Sequence, residues 1–391
     1  MKVLNLIWIL LQLLIGYNLI MPLILYFIFL IKNKKLIKTS SSVEADFAII
    51  ITAYKQTTFL PEVVHSILQL NYSNYHIYVV ADNCDISGLH FNSDKISLLK
   101  PINVLGSNTR SHFYAINNFK RDHQRLTIVD SDNLVHPEYL NEINKFFDVG
   151  FSAVQGVRSP KNLNTTYACL DAARDIYYHF YDGKILFNAG ASATLAGSGM
   201  AFTTQLYRQS LEQLDVTGAG FDKVLQYQIV KNGSRIAFAE HAIVWDEKTT
   251  NSDQLVKQRA RWINTWFRYF FYGFKLEKEG WLHFNWNQIL FGIILLRPPL
   301  FIFLFLSLLF MIINIIIFPV ISLMWLAGIL IFTLSFFIAL HQSKTDKRIY
   351  KSLSNIPVFI FYQILSLLKI KNANKYSVAT EHVYKKTNEN L

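Results

Sequence analysis

The sequence predicts an α/β domain with a mostly parallel sheet, carried on transmembrane and interfacial helices. Three observations lead there. Short apolar runs alternate with helical patterns between about residues 43 and 275. Charge-free stretches lie on both sides of that region. The chain of 391 residues is 52% hydrophobic yet 17% charged, too apolar for a typical soluble protein and too charged for a bundle of spans alone.

The elements follow in order. Residues 3–31 carry no charge between Lys2 and Lys32, enough to cross roughly 30 Å of hydrocarbon. The apolar core is too long for a signal peptide and no small-residue cleavage site follows it, so residues 1–31 read as an uncleaved anchor. Lys32, Lys34, Lys35 and Lys38 come next, which places the following domain, residues 43–275, in the cytoplasm. Within it, residues 47–51, 76–80 and 126–129 read as buried strands. Residues 58–70 read as a helix with Pro61 in its first turn, and residues 111–119 and 137–147 as further helices. Ligands of such a sheet sit at the carboxyl ends of the strands.

Residues 281–391 form the third region. Residues 281–296 open with Trp281, His283, Asn285, Trp286 and Asn287, which suits a helix at headgroup level. Residues 298–340 are free of charge, about two spans long, and hold Phe318-Pro319 near the middle, as a helical hairpin would. Lys344, Lys347, Arg348 and Lys351 return the chain to the cytoplasm. Residues 356–368 are too short to span, and Lys369, Lys371 and Lys375 follow, so they read as an interfacial helix before a cytoplasmic tail. The expectation is three spans in a cell membrane, with lipid as a partner.

Lys+Arg outnumber Asp+Glu by 38 to 27, an excess accounted for by cytoplasmic flanks. No basic stripe interleaved with aromatics occurs, so nucleic acid is not an expected partner. Cys84 and Cys169 make neither a disulfide framework nor a metal motif, which fits a reducing compartment.

Three acidic sites fall at the ends of apolar runs. Asp82-Asn83-Cys84-Asp85 follows the second strand, Asp130-Ser131-Asp132 follows the third, and Asp222 opens the helical stretch 222–230. Two carboxylates one residue apart on a strand-to-loop turn can hold a hard divalent cation beside substrate phosphates. Strand ends are also polar for no other reason than that loops face water, and Asp is a frequent first residue of a helix. Gln258, Arg261 and Trp262 share a helical face by i, i+3, i+4 spacing. An amphipathic helix lying on a membrane has the same composition.

Taken in order, these motifs resemble the family 2 glycosyltransferases, especially the membrane-integrated, processive branch of cellulose, chitin and hyaluronan synthases. Ile50-Ile51-Thr52-Ala53-Tyr54 is similar to the family's first strand and nucleotide loop, and Val79 to Asp85 to its second strand and base-recognising acid. Asp130-Ser131-Asp132 resembles the metal motif, and Gly197-Ser198-Gly199-Met200 the small-residue segment near the acceptor. Gln258-x-x-Arg261-Trp262 is similar to the signature of the processive members, with Glu247-Lys248 a short way upstream. Two positions depart from the pattern. Phe221-Asp222 stands where the family has Glu-Asp, and His112-Phe113 where it tends to have Lys-Gly.

The resemblance implies a glycosyltransferase A-type fold and an inverting hexosyl- or N-acetylhexosaminyltransferase using a UDP-sugar with Mg²⁺ or Mn²⁺. Asp222 would be the catalytic base, and Asp132 and Asp130 would hold the metal. Thr52, Ala53, Tyr54, Asp82, Gly197, Ser198, Gly199, Gln258, Arg261 and Trp262 would bind substrates. Asp82 would accept from the uracil N3–H, Arg261 would contact the diphosphate, Trp262 would offer a flat face to the acceptor sugar, and His112 would reach a phosphate. The acceptor would be a growing glycan or a lipid-linked sugar. Two other functions stay open: single addition to a lipid, and a catalytically weak scaffold subunit of a polysaccharide export machine.

Overall fold

The computed structural model describes residues 2–32 and 43–371. The expectations for Lys34, Lys35 and Lys38, and for the tail beyond residue 371, fall outside these residues.

Eight strands form one sheet: β1 (Phe47–Tyr54), β2 (Tyr75–Asp82), β3 (Ile96–Leu99), β4 (Arg125–Asp130), β5 (Leu134–Val135), β6 (Ala153–Pro160), β7 (Met200–Thr203) and β8 (Ile236–Asp246). Their spatial order is β3-β2-β1-β4-β7-β6-β8-β5. The first four are mutually parallel. β7 runs against both β4 and β6, β8 is parallel to β6, and β5 is an antiparallel edge. The run Phe47-Ala48-Ile49-Ile50-Ile51 is buried throughout, as a strand covered on both faces requires. Helices Leu60–Leu68, Asn108–Asn117 and Tyr139–Asp148 follow β1, β3 and β5, each with its buried residues on one stripe.

Among the described residues, three helices are long and apolar enough to cross a membrane: Asn5–Ile31, Leu300–Ile317 and Pro319–Gln342. The break between the last two falls at Phe318, whose φ of −145° ends one helix, and Pro319 starts the next. One polar knot ties the three together. Gln12 Oε1 accepts from Asn314 Nδ2 (2.6 Å) and Trp325 Nε1 (2.8 Å). A seven-residue π-helix, His179–Ile185, joins them to the sheet domain. Its buried Asp182 pairs with Arg297 at the head of the hairpin. The Ala189 carbonyl just beyond accepts from both Lys32 Nζ (2.7 Å) and Trp286 Nε1 (3.2 Å).

In helix Trp286–Leu296 the residues Ile289, Leu290, Phe291 and Ile294 are buried, packed on helices Phe221–Lys231 and Phe271–Leu282. Exposed apolar side chains gather on residues 267–284, where Phe267, Phe271, Phe274, Trp281, Leu282 and Phe284 all face outward. One expectation is corrected, that for His112. It is a core residue, 1% exposed, its Nδ1 2.7 Å from the Tyr207 hydroxyl, and so does not face a phosphate site. Burial lowers its pKa to about 3, so the ring is neutral.

Candidate active site

Parallel register brings the ends of three strands to one edge. Tyr54 lies opposite Asp82, and Thr52 opposite Asp130. Thr52, Ala53, Tyr54, Asp82 and Asp130 therefore share the carboxyl edge, where open α/β sheets bind ligands. The buried Asp82 carboxylate accepts the Leu105 amide on one oxygen (2.9 Å) and the Gly106 amide on the other (2.8 Å). It therefore holds the loop after β3 and keeps lone pairs for a further donor.

Asp130 and Asp132 stand on a turn closed by the Asn133 N–H donating to the Asp130 carbonyl at 3.1 Å. The Gly197-Ser198-Gly199 segment is threaded beside it. The Asp130 N–H donates to Ser198 Oγ (3.0 Å), and Ser198 Oγ donates to Asn133 Oδ1 (3.0 Å). The Gly199 N–H reaches the Ile128 carbonyl at 2.9 Å. Gly199 has φ +64°, and a Cβ there would come within 2.8 Å of Val244 Cγ2, so only glycine lets the segment pass this close to β8. Asp132 is buried and Asp130 half-buried. No group of three His, Cys, Asp or Glu side chains able to hold a metal occurs among the described residues. The donor set is thus two oxygen-only carboxylates, which suits a hard cation whose remaining ligands are phosphate and water.

Asp222 occupies the first turn of helix Phe221–Lys231, with Lys223 Nζ 3.3 Å from its Oδ2. That helix carries residues 195–199 as well. The Leu195 N–H donates to Gln226 Oε1 (3.0 Å), and Lys223 Nζ donates to the Leu195 carbonyl (3.4 Å).

Gln258, Arg261 and Trp262 lie on helix Ser252–Tyr269, whose first turn is capped by Asn251 Oδ1 accepting from the Gln254 amide at 2.9 Å. Gln258 Oε1 accepts from Thr249 Oγ1 at 3.0 Å. Burial holds the half-buried Arg261 guanidinium below its ordinary pKa. The Trp262 ring is already engaged, with the guanidinium carbons of Arg259 and Arg174 at 4.0 and 4.2 Å from its centroid.

Beneath these motifs runs an ionic network that sequence reasoning missed. Arg158 pairs with Asp246 (2.5 Å), Asp246 with Lys248 (2.7 Å) and Lys248 with Asp175 (2.5 Å). Arg174 bridges Asp175 and Asp171, and Asp171 pairs with Arg259. Burial raises the carboxylate pKa values, but the neighbouring cations outweigh it and hold Asp246, Asp175 and Asp171 below the usual range. The network touches both sides of the site. Asn133 Nδ2 donates to Asp246 (3.2 Å), and Arg158 donates to the Ala196 carbonyl (2.7 Å). Of its members only Lys248 carried a sequence signal, its place in the Glu247-Lys248 pair.

The sequence model of the family described as Glycosyltransferase like family 2 matches residues 45–265. The chain belongs to that family. Its domain has the glycosyltransferase A-type α/β fold. Among solved structures, the mannosyltransferase PcManGT from Pyrobaculum calidifontis, in complex with GDP-Man and Mn²⁺, is 13% identical with a TM-score of 0.49, over 91% of this chain and 95% of that one. S. aureus TarS 1–349 in complex with UDP-GlcNAc is 15% identical with a TM-score of 0.39. That match covers 53% of this chain and 59% of the TarS fragment, so the chain spans about six-tenths of its length. No curated protein matches the sequence.

Proposed function

We propose that the chain is an inverting glycosyltransferase that moves a hexosyl or N-acetylhexosaminyl group from a UDP-sugar to a growing glycan at the cytoplasmic face of the cell membrane. One observation carries this proposal. Residues 195–199 hydrogen-bond to the Asp130–Asn133 turn through Ser198 and to the Asp222 helix through Leu195. Through Arg158, Asp246 and Lys248 they also connect to the segment that holds Gln258. Four of the motifs, at Asp130–Asp132, Gly197–Gly199, Asp222 and Gln258, are thus joined by one network of hydrogen bonds and ion pairs.

Asp222 serves as general base and takes the acceptor hydroxyl proton as the new glycosidic bond forms. A single displacement then inverts the anomeric centre. Asp132, with Asp130, would hold Mg²⁺ or Mn²⁺, which would supply charge neutralisation for the leaving diphosphate. Arg261 adds a guanidinium contact to phosphate. Asp82 and Tyr54 receive the uracil, with Thr52 and Ala53 lining the same strand end. Gly197, Ser198 and Gly199 border the acceptor, and Gln258 and Trp262 orient its terminal sugar. The three apolar helices anchor the domain, and the aromatic face of residues 267–284 rests on lipid.

A second reading, single addition to a lipid-linked acceptor, is favoured by the small number of apolar helices, three among the described residues, tied to one another by Gln12, Asn314 and Trp325. Incubation of purified protein with radiolabelled nucleotide-sugars and Mg²⁺ or Mn²⁺, followed by sizing, separates the two. Long products support elongation together with export-machinery subunits, and one-sugar increments support the second reading. Transfer should stop with chelator. No turnover with any nucleotide-sugar would contradict both and leave a scaffold.

A further inference from the structure

The loop that delivers Asp222, residues 212–220, is tied to the donor side of the sheet by one short helix. That helix, Asn108–Asn117, begins two residues after Gly106, whose amide is held by Asp82. Its N-cap Ser107 and its residue Thr109 are both buried, and both hydroxyls converge on one acceptor, the Val216 carbonyl, at 2.8 and 2.9 Å. The hydroxyls lie 2.9 Å from each other. Val216 is the only buried residue of the segment 212–220. One turn along, Arg110 makes a bidentate pair with Asp215 (2.9 and 2.6 Å). His112 then packs against Phe221, the residue before Asp222. The far end of the loop is Gly220 at φ +99°, where a Cβ would strike Thr265 Cγ2 at 2.5 Å, so the chain can enter the Asp222 helix only through glycine.

We propose that Ser107 and Thr109 are positioning residues for Asp222, and that through them the loop held by Asp82 and the loop presenting Asp222 move as one. The inference rests on Asp222 being the base. Two largely exposed stretches would otherwise be free to shift separately. A carbonyl gripped by two buried hydroxyls fixes the loop at its middle, while the exposed Arg110–Asp215 pair adds little once solvated. Displacement of the base by an ångström costs catalysis without touching donor contacts, because the donor residues lie on other strands.

The test pairs kinetics with amide hydrogen exchange on the full-length protein in detergent. In Ser107→Ala/Thr109→Val, kcat for transfer should fall roughly ten- to a hundred-fold with the donor KM within about two-fold, and amides of residues 216–222 should exchange faster while those of residues 225–230 do not. Ser107→Thr with Thr109→Ser, which keeps both hydroxyls, should restore most of the rate. Asp82→Asn, which loses one of the two amide contacts, should speed exchange at residues 105–110 and also at 216–222. Unchanged kcat and exchange in the double variant would overturn the positioning role. Faster exchange confined to residues 105–110 in Asp82→Asn would overturn the coupling. If Asp222→Asn itself keeps full transfer, the base assignment fails instead, whatever the exchange shows.

Discussion

The imidazole of His112 stands edge-on to the ring of Phe221, their centroids 5.1 Å apart and their planes at 65°. The resemblance sets these two positions against an acid and a lysine, and the fold puts the two aromatic side chains that occupy them in contact.

Reversing one of them alone should therefore be costly. Phe221→Glu places a carboxylate beside a buried neutral imidazole, and His112→Lys places an ammonium beside an apolar ring. Each single variant should melt several degrees below wild type, since ~1 kcal/mol moves Tm by roughly 2–4 °C in a domain of this size. The double variant should recover most of the loss. Equal and additive losses would show that the two positions are independent.

Acid should destabilise the domain well above the carboxylate range. Burial lowers the pKa of His112 to about 3 and that of His179 to about 4, against about 6.5 in an unfolded chain. The unfolded state takes up these protons first, so stability is complete above about pH 6.5 and falls as pH drops toward the folded values, by ~1.4 kcal/mol per unit for each ring. Burial pushes His76 and His123 the same way. Thermal unfolding between pH 7.5 and 5 should show a falling Tm, with a shallower slope in His112→Phe. Identical slopes would remove His112 from this account.

Lys248 is 1% exposed and bonded to two carboxylates, Asp175 and Asp246. Lys248→Met should destabilise by about 3–5 kcal/mol, the cost of leaving buried charges uncompensated. Because Asp246 also holds Asn133 beside Asp132, transfer should weaken even at temperatures where the variant stays folded. A folded variant with normal stability and rate would show that the network is dispensable.

The aromatic face of residues 267–284 should lie in the headgroup layer. Cys84 and Cys169 are both buried, so a spin label on Phe274→Cys reports one place. In lipid nanodiscs it should collide with oxygen and be shielded from a water-soluble nickel complex, relative to a label on exposed Lys100. Free access for nickel would place that face in water.

Much of the first half of the sheet was legible from sequence. Residues 47–51, 76–80 and 126–129 are short, mostly apolar runs, and each is the core of a strand. The acids that end the second and third were found for the same reason. β5, β6 and β7 gave no such signal, since β5 has two residues, β7 has four, and β6 is half polar. The ionic network was invisible because Arg158, Asp171, Arg174, Asp175 and Arg259 meet only through the fold, and nothing in a lone charged residue announces its burial. For His112 the local pattern does carry a clue. It shares a helical stripe with Thr109, Ala115 and Ile116, all buried, which marks a core position.

In the proposed function Asp222 activates the acceptor while the donor is held elsewhere. Nucleotide release and sugar transfer by the purified protein, wild type against Asp222→Asn, separate the two roles. Wild type should release UDP in step with transfer from a UDP-sugar in Mg²⁺ or Mn²⁺. Asp222→Asn should lose transfer by a factor of at least roughly 10² while binding the donor as tightly as wild type. Transfer that survives in Asp222→Asn would contradict the account.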